Sequence, residues 1–366
     1  MLAQLLPASR MTPIGLDVGV HGVRAVQLRR RPRAYAVEVA ARVERPGIFS
    51  ESTEEERSVS GFIRNCLHQA SFHGNDVRAG LSMPDIDFHA LELPETIGNE
   101  KEEEVENIVQ WEVQRLTTRQ SEKLVTAHWL LPDSRPNAPN AIGVVTSEAR
   151  VMQVVASCQD AGLVCTQVDA AAAALARFGH LAADFSGDLV WGLLDFGFRR
   201  TRLILCVDDL PVLVRHAGSG GQAWTKRIAE ALRVSQKTAE FHKREAGIEL
   251  VGRGVRGDAA PAPRSELGAI LTGILRSDLN TIAAEVKRSY EYVLSCYPSR
   301  RAGGLLMVGG GTALRNLPEF LTSVLGIPVH RASHHAKSEE SRLDVAKCCE
   351  EDIDELAVSI ALAIDA

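Results

Sequence analysis

The chain has 366 residues, which is longer than one hydrophobic core usually supports, so at least two subdomains are expected. Its 45% hydrophobic and 24% charged residues are typical of a globular protein and exclude a fibrous or disordered chain. The net charge of −6 argues against a general nucleic-acid binder, and seven cysteines without a CxxC pair favour free thiols in a reducing cytoplasm. No stretch reaches the roughly 20 apolar residues of a membrane-spanning helix, so no direct membrane insertion is expected. Residues 1–12 lack a secretory signal and are expected to be flexible.

The first predicted feature is a hairpin that carries an acid at its tip. Residues 14–44 alternate apolar and polar side chains and predict three antiparallel strands. In the segment IGLDVGVHGVRAVQLRR, Asp17 ends the first strand, Gly19 and Gly22 bracket the corner, and Arg24 opens the second strand. A plain hairpin needs only one glycine and a polar neighbour to turn. The acid therefore requires another explanation.

A helix is predicted next, over residues 54–73, and a small α+β module follows it. From VRAGLSM to AIGVVTS the pattern reads strand, strand, helix, strand, strand, and the helix is strongly acidic at about 99–116. The acids at the start of this helix complement its dipole. Residues 147–178 then predict a helix, a strand and an alanine-rich helix.

The segment DLVWGLLDFGFRRTRLILCVDDLPVLVRHAG predicts a second hairpin that repeats the first. Asp195 and Gly197 end one strand and Thr201 begins the next, in the order already seen in the first hairpin. Two helices, a Gly/Pro-rich loop and a long helix follow. A strand, a glycine turn and a helix come next, and a last helix is predicted at about 351–365.

The repeated hairpin is typical of a site that holds a phosphate and its metal ion. Two strand-end aspartates can face each other across a cleft between two lobes, where turn N–H groups bind phosphate oxygens. Magnesium keeps several of its waters, so Asp17 and Asp195 would hold it through water. A third glycine turn, at residues 309–311, lies between an apolar strand and a helix, where the backbone can approach a flat ligand closely.

This order of motifs resembles the superfamily of actin, sugar kinases and heat-shock ATPases, and within it the PilM family of type IV pilus assembly proteins. The resemblance covers about residues 13–365 and is carried by the segments IGLDVGVHGVRAVQLRR, LLDFGFRRTRLIL, RHAGSGGQAWTKRIAEAL, SQKTAEFHKREAG, EVKRSYEY and LLMVGGGTALRNLPEFLTSVLGIPV. It implies an α/β fold of the actin-like ATPase type, with two related lobes and an α+β insertion like that of the division protein FtsA.

The resemblance also implies a division into subdomains. Residues 13–76 and 149–186 would form subdomain 1A, and the insertion at 77–148 would form subdomain 1C. Residues 187–221 and 301–366 would form subdomain 2A, and residues 222–300 would form subdomain 2B.

Site residues follow from the same resemblance, which implies ATP or ADP with Mg²⁺ as the ligand. Asp17 and Asp195 would position the metal. The other residues expected to contact the nucleotide are Gly19, Gly22, Arg24, Gly197, Thr201, Gly220, Gly221, Glu240, Lys243, Gly309, Gly310, Gly311 and Thr312. Among these, Glu240 and Lys243 match the clamp on ribose and base, and the last four residues back the adenosine.

The sequence departs from the family pattern at both phosphate turns. His21 replaces a small hydroxyl residue, Arg24 replaces lysine, and bulky residues at 198–200 replace small ones. Bulky side chains can obstruct a phosphate, whereas arginines can bind one through forked donors. Asp169 is the candidate catalytic base, and the alternative is that it caps the alanine-rich helix. Retained nucleotide binding with at most slow ATP hydrolysis is therefore expected.

The resemblance implies a cytoplasmic assembly protein of a type IV pilus or a related type II secretion system, peripheral to the inner membrane. Its partner would be the cytoplasmic N-terminal peptide of a PilN-like inner-membrane protein, received beside the inserted module, with a motor ATPase or a second copy as further partners. Two alternatives remain open at this stage. An FtsA-like filament protein would need an amphipathic C-terminal helix, and a small-molecule kinase would need an acidic base and a substrate pocket.

Overall fold

The computed structural model describes residues 11–44, 58–94, 102–119, 121–132, 135–183, 185, 187–249, 266–337, 341–345 and 350–365. Its contacts divide the chain into two units. Unit 1 comprises Met1–Asp184 and His335–Ala366, and unit 2 comprises Phe185–His334. Residues 251–265 of the predicted Gly/Pro-rich loop lie outside the described residues, and its last three residues, 266–268, are helical.

The secondary structure follows the predicted order of elements closely. In chain order the strands are β1 (Ile14–Val18), β2 (Gly22–Arg31), β3 (Ala34–Glu44), β4 (Asp76–Leu81), β5 (Ile86–Leu91), β6 (Leu124–Leu130), β7 (Ala141–Ser147), β8 (Val164–Ala170), β9 (Leu189–Phe196), β10 (Arg200–Val207), β11 (Leu210–Ser219), β12 (Arg301–Val308), β13 (Val329–Arg331) and β14 (Leu343–Asp344). The helices are α1 (Val59–His68), α2 (Glu102–Leu116), α3 (Glu148–Asp160), α4 (Ala171–Ala182), α5 (Gly221–Leu232), α6 (Gln236–Ala246), α7 (Glu266–Cys296), α8 (Leu317–Leu325), α9 (Ala332–Ala336) and α10 (Glu350–Ala363), and a 3₁₀ turn covers Gly310–Ala313.

Unit 1 is built on a six-stranded sheet in the order β14-β3-β2-β1-β4-β8. The first three strands pair antiparallel, as predicted, and β4 and β8 continue the sheet in parallel. Apolar residues of α1 and α3 cover one face in a core that includes Leu16, Phe62 and Cys158. Helices α4 and α10 pack together, and α10 lies against β1, β2 and β4. Both faces of the central strands are therefore buried.

The start of the described chain is anchored, which corrects the expectation that all of residues 1–12 are flexible. Met11 forms a bridge with Arg29, and the Thr12 N–H donates to the Leu28 carbonyl at 2.9 Å. Thr12 is buried. These two residues thus extend the sheet beside β2, because β2 offers backbone groups beyond the end of β1.

The last segment of the chain, His335–Ala366, belongs to unit 1. The predicted subdomain division had placed all of residues 301–366 in the second lobe. Strand β14 pairs with β3, and the Ser359 hydroxyl in α10 donates to the Arg24 carbonyl at 3.1 Å. The helix is buried along the sheet, so this helix does not supply the membrane-binding face that an FtsA-like protein requires. The other predicted subdomain boundaries stay predictions.

The inserted module is smaller than predicted. Strand β4, expected to be its first strand, pairs instead with β1 and β8 in the large sheet. The module is a three-stranded sheet in the order β5-β7-β6, and α2 covers one face through a core that includes Val105, Val109 and Val113. The other face packs on Val151 of α3 and Val168 of β8. An alternating apolar pattern marks a strand but does not choose its sheet, which explains the error.

Unit 2 repeats the arrangement of unit 1. Its sheet has the order β11-β10-β9-β12-β13, with β9, β10 and β11 antiparallel and β12 and β13 parallel. This matches β3-β2-β1-β4-β8 strand for strand. The long helix α7 packs on this sheet, and α5 and α6 pack together beside it. The prediction of two related lobes is therefore confirmed.

Candidate functional site

The first hairpin places an acid and an arginine opposite each other. In the register of β1 and β2, Asp17 faces Arg24, and the guanidinium Nη1 lies 3.8 Å from the Asp17 Oδ2. The Gly19 N–H donates to the Gly22 carbonyl at 2.9 Å and closes the turn. A β-carbon on Gly19 would lie 3.8 Å from the same Nη1, so the guanidinium lies beside the turn.

The second hairpin repeats this pair in a tighter form. Arg202 faces Asp195 across β10 and β9 and donates to its carboxylate. The Asp195 side chain is only 4% exposed and that of Arg202 is 16% exposed, so the pair is largely removed from water. The Gly197 N–H donates to the Arg200 carbonyl at 3.1 Å and closes the turn.

The two hairpins share an eight-residue pattern that runs from the acid to the arginine. The segments are DVGVHGVR at residues 17–24 and DFGFRRTR at residues 195–202, and both follow the order acid, apolar, glycine, apolar, two variable residues, one β-branched residue, arginine. The family resemblance implies a site role for Arg24 but not for Arg202. The equal spacing between acid and arginine was the signal that could have found it.

Three glycine segments meet within unit 2: the second turn at Gly197, the start of α5 at Gly220 and the turn at residues 309–311. A β-carbon on Gly220 would lie 2.5 Å from the Arg200 nitrogen, so the start of α5 contacts the second turn directly. Gly309 has φ of 88°, which favours glycine, and a β-carbon there would lie 2.7 Å from the Asp195 Oδ1. A β-carbon on Gly311 would lie 2.7 Å from the β-carbon of the phenylalanine that ends β9. The structure thus brings together the predicted phosphate and adenosine segments of this unit.

Two backbone N–H groups at the start of α5 already donate to the second turn. The Gly220 N–H donates to the Arg199 carbonyl at 3.0 Å, and the Gly221 N–H donates to the Gly197 carbonyl at 3.1 Å. A turn that binds phosphate needs N–H groups directed at the ligand. The amides of Gly220 and Gly221 bind the start of α5 to the second turn instead.

Both predicted threonines also make internal hydrogen bonds. The Thr201 hydroxyl is buried and donates to the Ser219 carbonyl at 2.7 Å, which joins β10 to β11. The Thr312 hydroxyl, within the 3₁₀ turn that begins at Gly310, donates to the Gly309 carbonyl at 2.8 Å. Each hydroxyl thus stabilises the segment to which it belongs, and the predicted ligand contacts of these residues stay predictions.

Half-buried Glu240 forms a cluster with the buried residues Lys243 and Thr225. The Lys243 Nζ lies 2.5 Å from the Glu240 Oε2 and donates to the Thr225 hydroxyl at 2.9 Å, and a β-carbon on Gly221 would lie 3.6 Å from this Nζ. Burial lowers the pKa of Lys243, with an opposing effect from Glu240. Burial alone would raise the pKa of Glu240, but Lys243, Thr225 and Arg244 together lower it. The cluster lies at the start of α5, and its predicted clamp role stays a prediction.

The candidate base Asp169 is paired. Arg177, two turns along α4, donates to its carboxylate. The alternative role is wrong, because the residue at the N-cap of α4 is Ala170 and no side chain caps the helix. The Asp169 carboxylate is thus already engaged by a guanidinium, and its predicted role as a catalytic base stays a prediction.

The two predicted magnesium ligands each lie beside an arginine of their own hairpin, Asp17 beside Arg24 and Asp195 beside Arg202. Their expected role of holding Mg²⁺ through water stays a prediction. Within the described part of the chain, no group of three or more histidine, cysteine or acidic side chains is placed to hold a metal. Among the described residues, no helix has the length and apolar character that crossing a membrane requires.

The paired sheets and the repeated hairpins define a protein of the actin-like ATPase fold. The chain is similar to the solved PilM-PilN type IV pilus biogenesis complex, with a TM-score of 0.71 and 22% identity over 97% of this chain and 98% of that chain. It is also similar to the ethanolamine utilization protein EutJ from Carboxydothermus hydrogenoformans, with a TM-score of 0.53 and 11% identity over 98% and 90% of the two chains.

A family model described as type IV pilus assembly protein PilM matches residues 15–250. Because this match covers more than half of the chain, the chain belongs to the PilM family, and the predicted resemblance is confirmed. A comparison with curated proteins found no match.

Proposed function

We propose that this chain is a cytoplasmic, nucleotide-binding assembly protein of a type IV pilus or related type II secretion platform, tethered to the inner membrane by a PilN-like protein. The observation that carries the nucleotide part is the contact of the three glycine segments of unit 2 beside Glu240 and Lys243. Nucleotide acts as a conformational ligand that changes affinity for partners, with at most slow turnover. Paired Asp169 supports the slow turnover.

One glycine offers a clean test of nucleotide binding. A β-carbon on Gly221 meets only the Lys243 Nζ, at an ordinary contact distance of 3.6 Å, and the residue is helical, so Gly221→Ala leaves the fold intact. A nucleotide lying over the start of α5 would meet the new methyl group. We expect Gly221→Ala to weaken binding of fluorescent ATP at least about tenfold, which corresponds to about 1.4 kcal/mol.

The matched control is Gly273→Ala in α7. Its β-carbon would meet nothing within 4 Å, so this variant should bind ATP as the unchanged chain does. Equal affinity in both variants would remove the start of α5 from the nucleotide site. No ATP binding by the unchanged chain would overturn the nucleotide part of the proposed function.

Strand β6 is the proposed partner site in the inserted module. It pairs with β7 on one side, and no other described strand pairs with its second side. Its sequence LVTAHWL carries none of the charged residues that commonly protect an edge strand, and Val125 and Leu130 are exposed. An extended peptide can add to such an edge through backbone hydrogen bonds and alternate side chains. The N-terminal peptide of a PilN-like protein is the proposed occupant.

A labelled synthetic peptide of the PilN-like protein from the same genome tests this site by fluorescence anisotropy. The double variant Val125→Asp, Leu130→Asp should weaken peptide binding about tenfold or more, because charge blocks strand addition and apolar contact is lost. Ile270→Asp, at an equally exposed apolar residue of unit 2, is the control and should bind normally. Binding to lipid vesicles without peptide or partner would instead favour an FtsA-like membrane protein.

A further inference from the structure

We propose that Cys158 and Cys165 form a reversible disulfide when a small hydroperoxide oxidises Cys165. Both cysteines lie in unit 1, Cys158 in the last turn of α3 and Cys165 in β8. The modification requires neither a bound nucleotide nor a partner protein, so it goes beyond the function proposed above.

The turn between α3 and β8 folds the two cysteines toward each other. The Cys158 carbonyl accepts from the Ala161 N–H and from the Leu163 N–H, each at 3.0 Å. Gly162, between these two donors, has φ of 83°, a left-handed conformation that favours glycine. These hydrogen bonds hold the start of β8 against the last turn of α3.

The two thiols contact each other at the edge of the core of unit 1. Cys158 is buried in an apolar cluster, and Cys165 packs against the same cluster. The Cys158 thiol donates a hydrogen bond to the Cys165 sulfur. Two sulfurs in such contact need only a small movement of their side chains to form a bond.

The surroundings favour a thiolate at Cys165 and a neutral thiol at Cys158. The hydrogen bond from Cys158, supported by backbone groups of Gln167 and Ala79 and opposed by burial, lowers the pKa of Cys165 to about 7. The same hydrogen bond and burial raise the pKa of Cys158. The neutral Cys165 thiol donates to the Gln167 carbonyl at 3.5 Å, and ionisation exchanges this bond for the one from Cys158. Because the thiolate is the nucleophile, Cys165 reacts first with a peroxide.

A small oxidant can reach Cys165, and Cys158 has room to move. Strand β8 pairs with β4, and no other described strand pairs with its second side. Cys165 is half-buried there, next to exposed Val164. Cys158 lines a cavity of about 40 Å³ together with Val154 and Ser157. This volume exceeds the roughly 15 Å³ that one water needs, so the Cys158 side chain is not held by packing on every side.

The reaction balances with one hydroperoxide, ROOH, as the oxidant. The Cys165 thiolate attacks a peroxide oxygen, the O–O bond breaks, and the leaving alkoxide takes a proton and departs as an alcohol, or as water when the oxidant is hydrogen peroxide. Cys165 is then a sulfenic acid. The Cys158 sulfur attacks the sulfenic sulfur, the S–O bond breaks, and the released hydroxide takes the Cys158 proton and leaves as water. The two thiols together lose two electrons, and the peroxide bond gains them.

The test is mass spectrometry of the full chain after treatment with hydrogen peroxide and alkylation of the remaining thiols with iodoacetamide. Trypsin releases residues 151–177 as one peptide, which contains Cys158 and Cys165 and no other cysteine. We expect this peptide to become about 2 Da lighter and to carry no alkyl group, because two thiol hydrogens are lost. Dithiothreitol should restore alkylation at both cysteines.

Two results with the unchanged chain would overturn the inference. Alkylation of both cysteines after peroxide treatment would mean that neither thiol reacts. A sulfinic or sulfonic acid at Cys165, with Cys158 alkylated, would mean that Cys158 does not reach the oxidised sulfur.

Single variants separate the roles of the two thiols. Cys158→Ala removes the second thiol, so oxidised Cys165 should stop at the sulfenic acid, which dimedone traps. Cys165→Ser removes the reacting thiol, and Cys158 should then be fully alkylated after peroxide treatment. A Cys158→Ala chain without a dimedone adduct at Cys165, or an oxidised Cys158 in Cys165→Ser, would overturn the inference. Circular dichroism checks that both variants fold, and the unchanged chain provides the test without them.

The control is Cys66→Ala, in the same apolar core. The Cys66 thiol donates to the Val23 carbonyl at 3.7 Å, and burial raises the pKa of Cys66 to about 11. This variant should form the disulfide to the same extent as the unchanged chain. Loss of the disulfide in Cys66→Ala would make Cys66 a participant in the reaction and overturn the inference.

Discussion

Gly15 in β1 lies directly against Ala363 in α10, because a β-carbon on Gly15 would stand 2.6 Å from the Ala363 backbone nitrogen. The Ser359 carbonyl lies closer still. Backbone atoms cannot rotate away as a flexible side chain can, so the close approach of helix and strand depends on the missing side chain. This contact fixes the C-terminal helix on the first sheet.

Gly15→Ala should therefore destabilise the protein by about 3 kcal/mol, the upper range for overpacking a core. The midpoint of urea unfolding, followed by far-ultraviolet circular dichroism, measures the loss. Gly273→Ala is the control, since its β-carbon meets open space in an exposed helical position, and it should stabilise by about 0.5 kcal/mol. A Gly15→Ala midpoint equal to that of the unchanged chain would contradict the packing of α10 on β1.

The position of α10 shows where the sequence carries too little information. Local alternation and glycine corners predicted both hairpins and nearly every element, because these depend on near neighbours. The sheet to which β4 or α10 belongs depends on contacts far along the chain, and their apolar patterns fit either lobe. Only the pairing of β4 with β1, and of Gly15 with Ala363, decides the matter.

The residues of the candidate site also fall into those that the sequence predicts and those that it does not. Both acids and the glycines of the turns were predictable from the repeated motif. The arginine that faces Asp195 can be predicted only by comparing the two hairpins, in which acid and arginine are equally spaced. The donor to Asp169 cannot be predicted in this way, because Arg177 lies eight residues further along, in a helix. The partner of a buried carboxylate is set by strand register, which a motif alone does not give.

The pair of buried Lys243 and half-buried Glu240 gives a second prediction on stability. Glu240→Gln leaves the Lys243 ammonium, which is almost fully buried, without its counter-charge. Removing one partner of such a pair costs about 3 kcal/mol. Urea unfolding should show this loss, and the double variant Glu240→Gln, Lys243→Met should recover most of it, because no buried charge remains.

Glu230→Gln is the control for this pair. Glu230 lies 3.8 Å from Lys226 in α5, and both side chains are 66% exposed. Loss of an exposed pair changes stability by about 0.5 kcal/mol or less. A Glu240→Gln effect as small as that of Glu230→Gln would mean that water reaches Lys243.

Asp365 gives a prediction on acid stability. Its carboxylate accepts from Arg30 at 2.7 Å and from Arg78 at 3.0 Å, and these bonds, chiefly the one from Arg30, lower the pKa of Asp365 from 3.8 to about 2. A lowered pKa stabilises the folded state above pH 3.8, and this stabilisation is lost as the pH falls toward 2.

Asp365→Asn should therefore destabilise the protein at pH 7, by about 1 kcal/mol once solvent screening of this partly exposed group is allowed for. The difference between variant and unchanged chain should shrink between pH 4 and pH 2.5, as measured by urea unfolding at each pH. Asp344→Asn, which removes the exposed partner of Arg31, is the control and should have little effect at any pH. A difference that stays constant down to pH 2.5 would contradict the role of Asp365.

His216 gives the opposite case, a half-buried histidine whose protonation opposes folding. Burial lowers the pKa of His216 from 6.5, and Arg200 and Arg202 lower it further. The unfolded chain then binds the proton first as the pH falls, so the folded state loses stability below about pH 6.5. His216→Gln keeps an acceptor for Arg200 but cannot titrate. Its free energy of unfolding should fall less between pH 7 and pH 5 than that of the unchanged chain.

The control is His68→Gln, at an exposed histidine, and it should keep the pH dependence of the unchanged chain. Identical slopes for the two variants would show that His216 does not remain neutral beside its arginines.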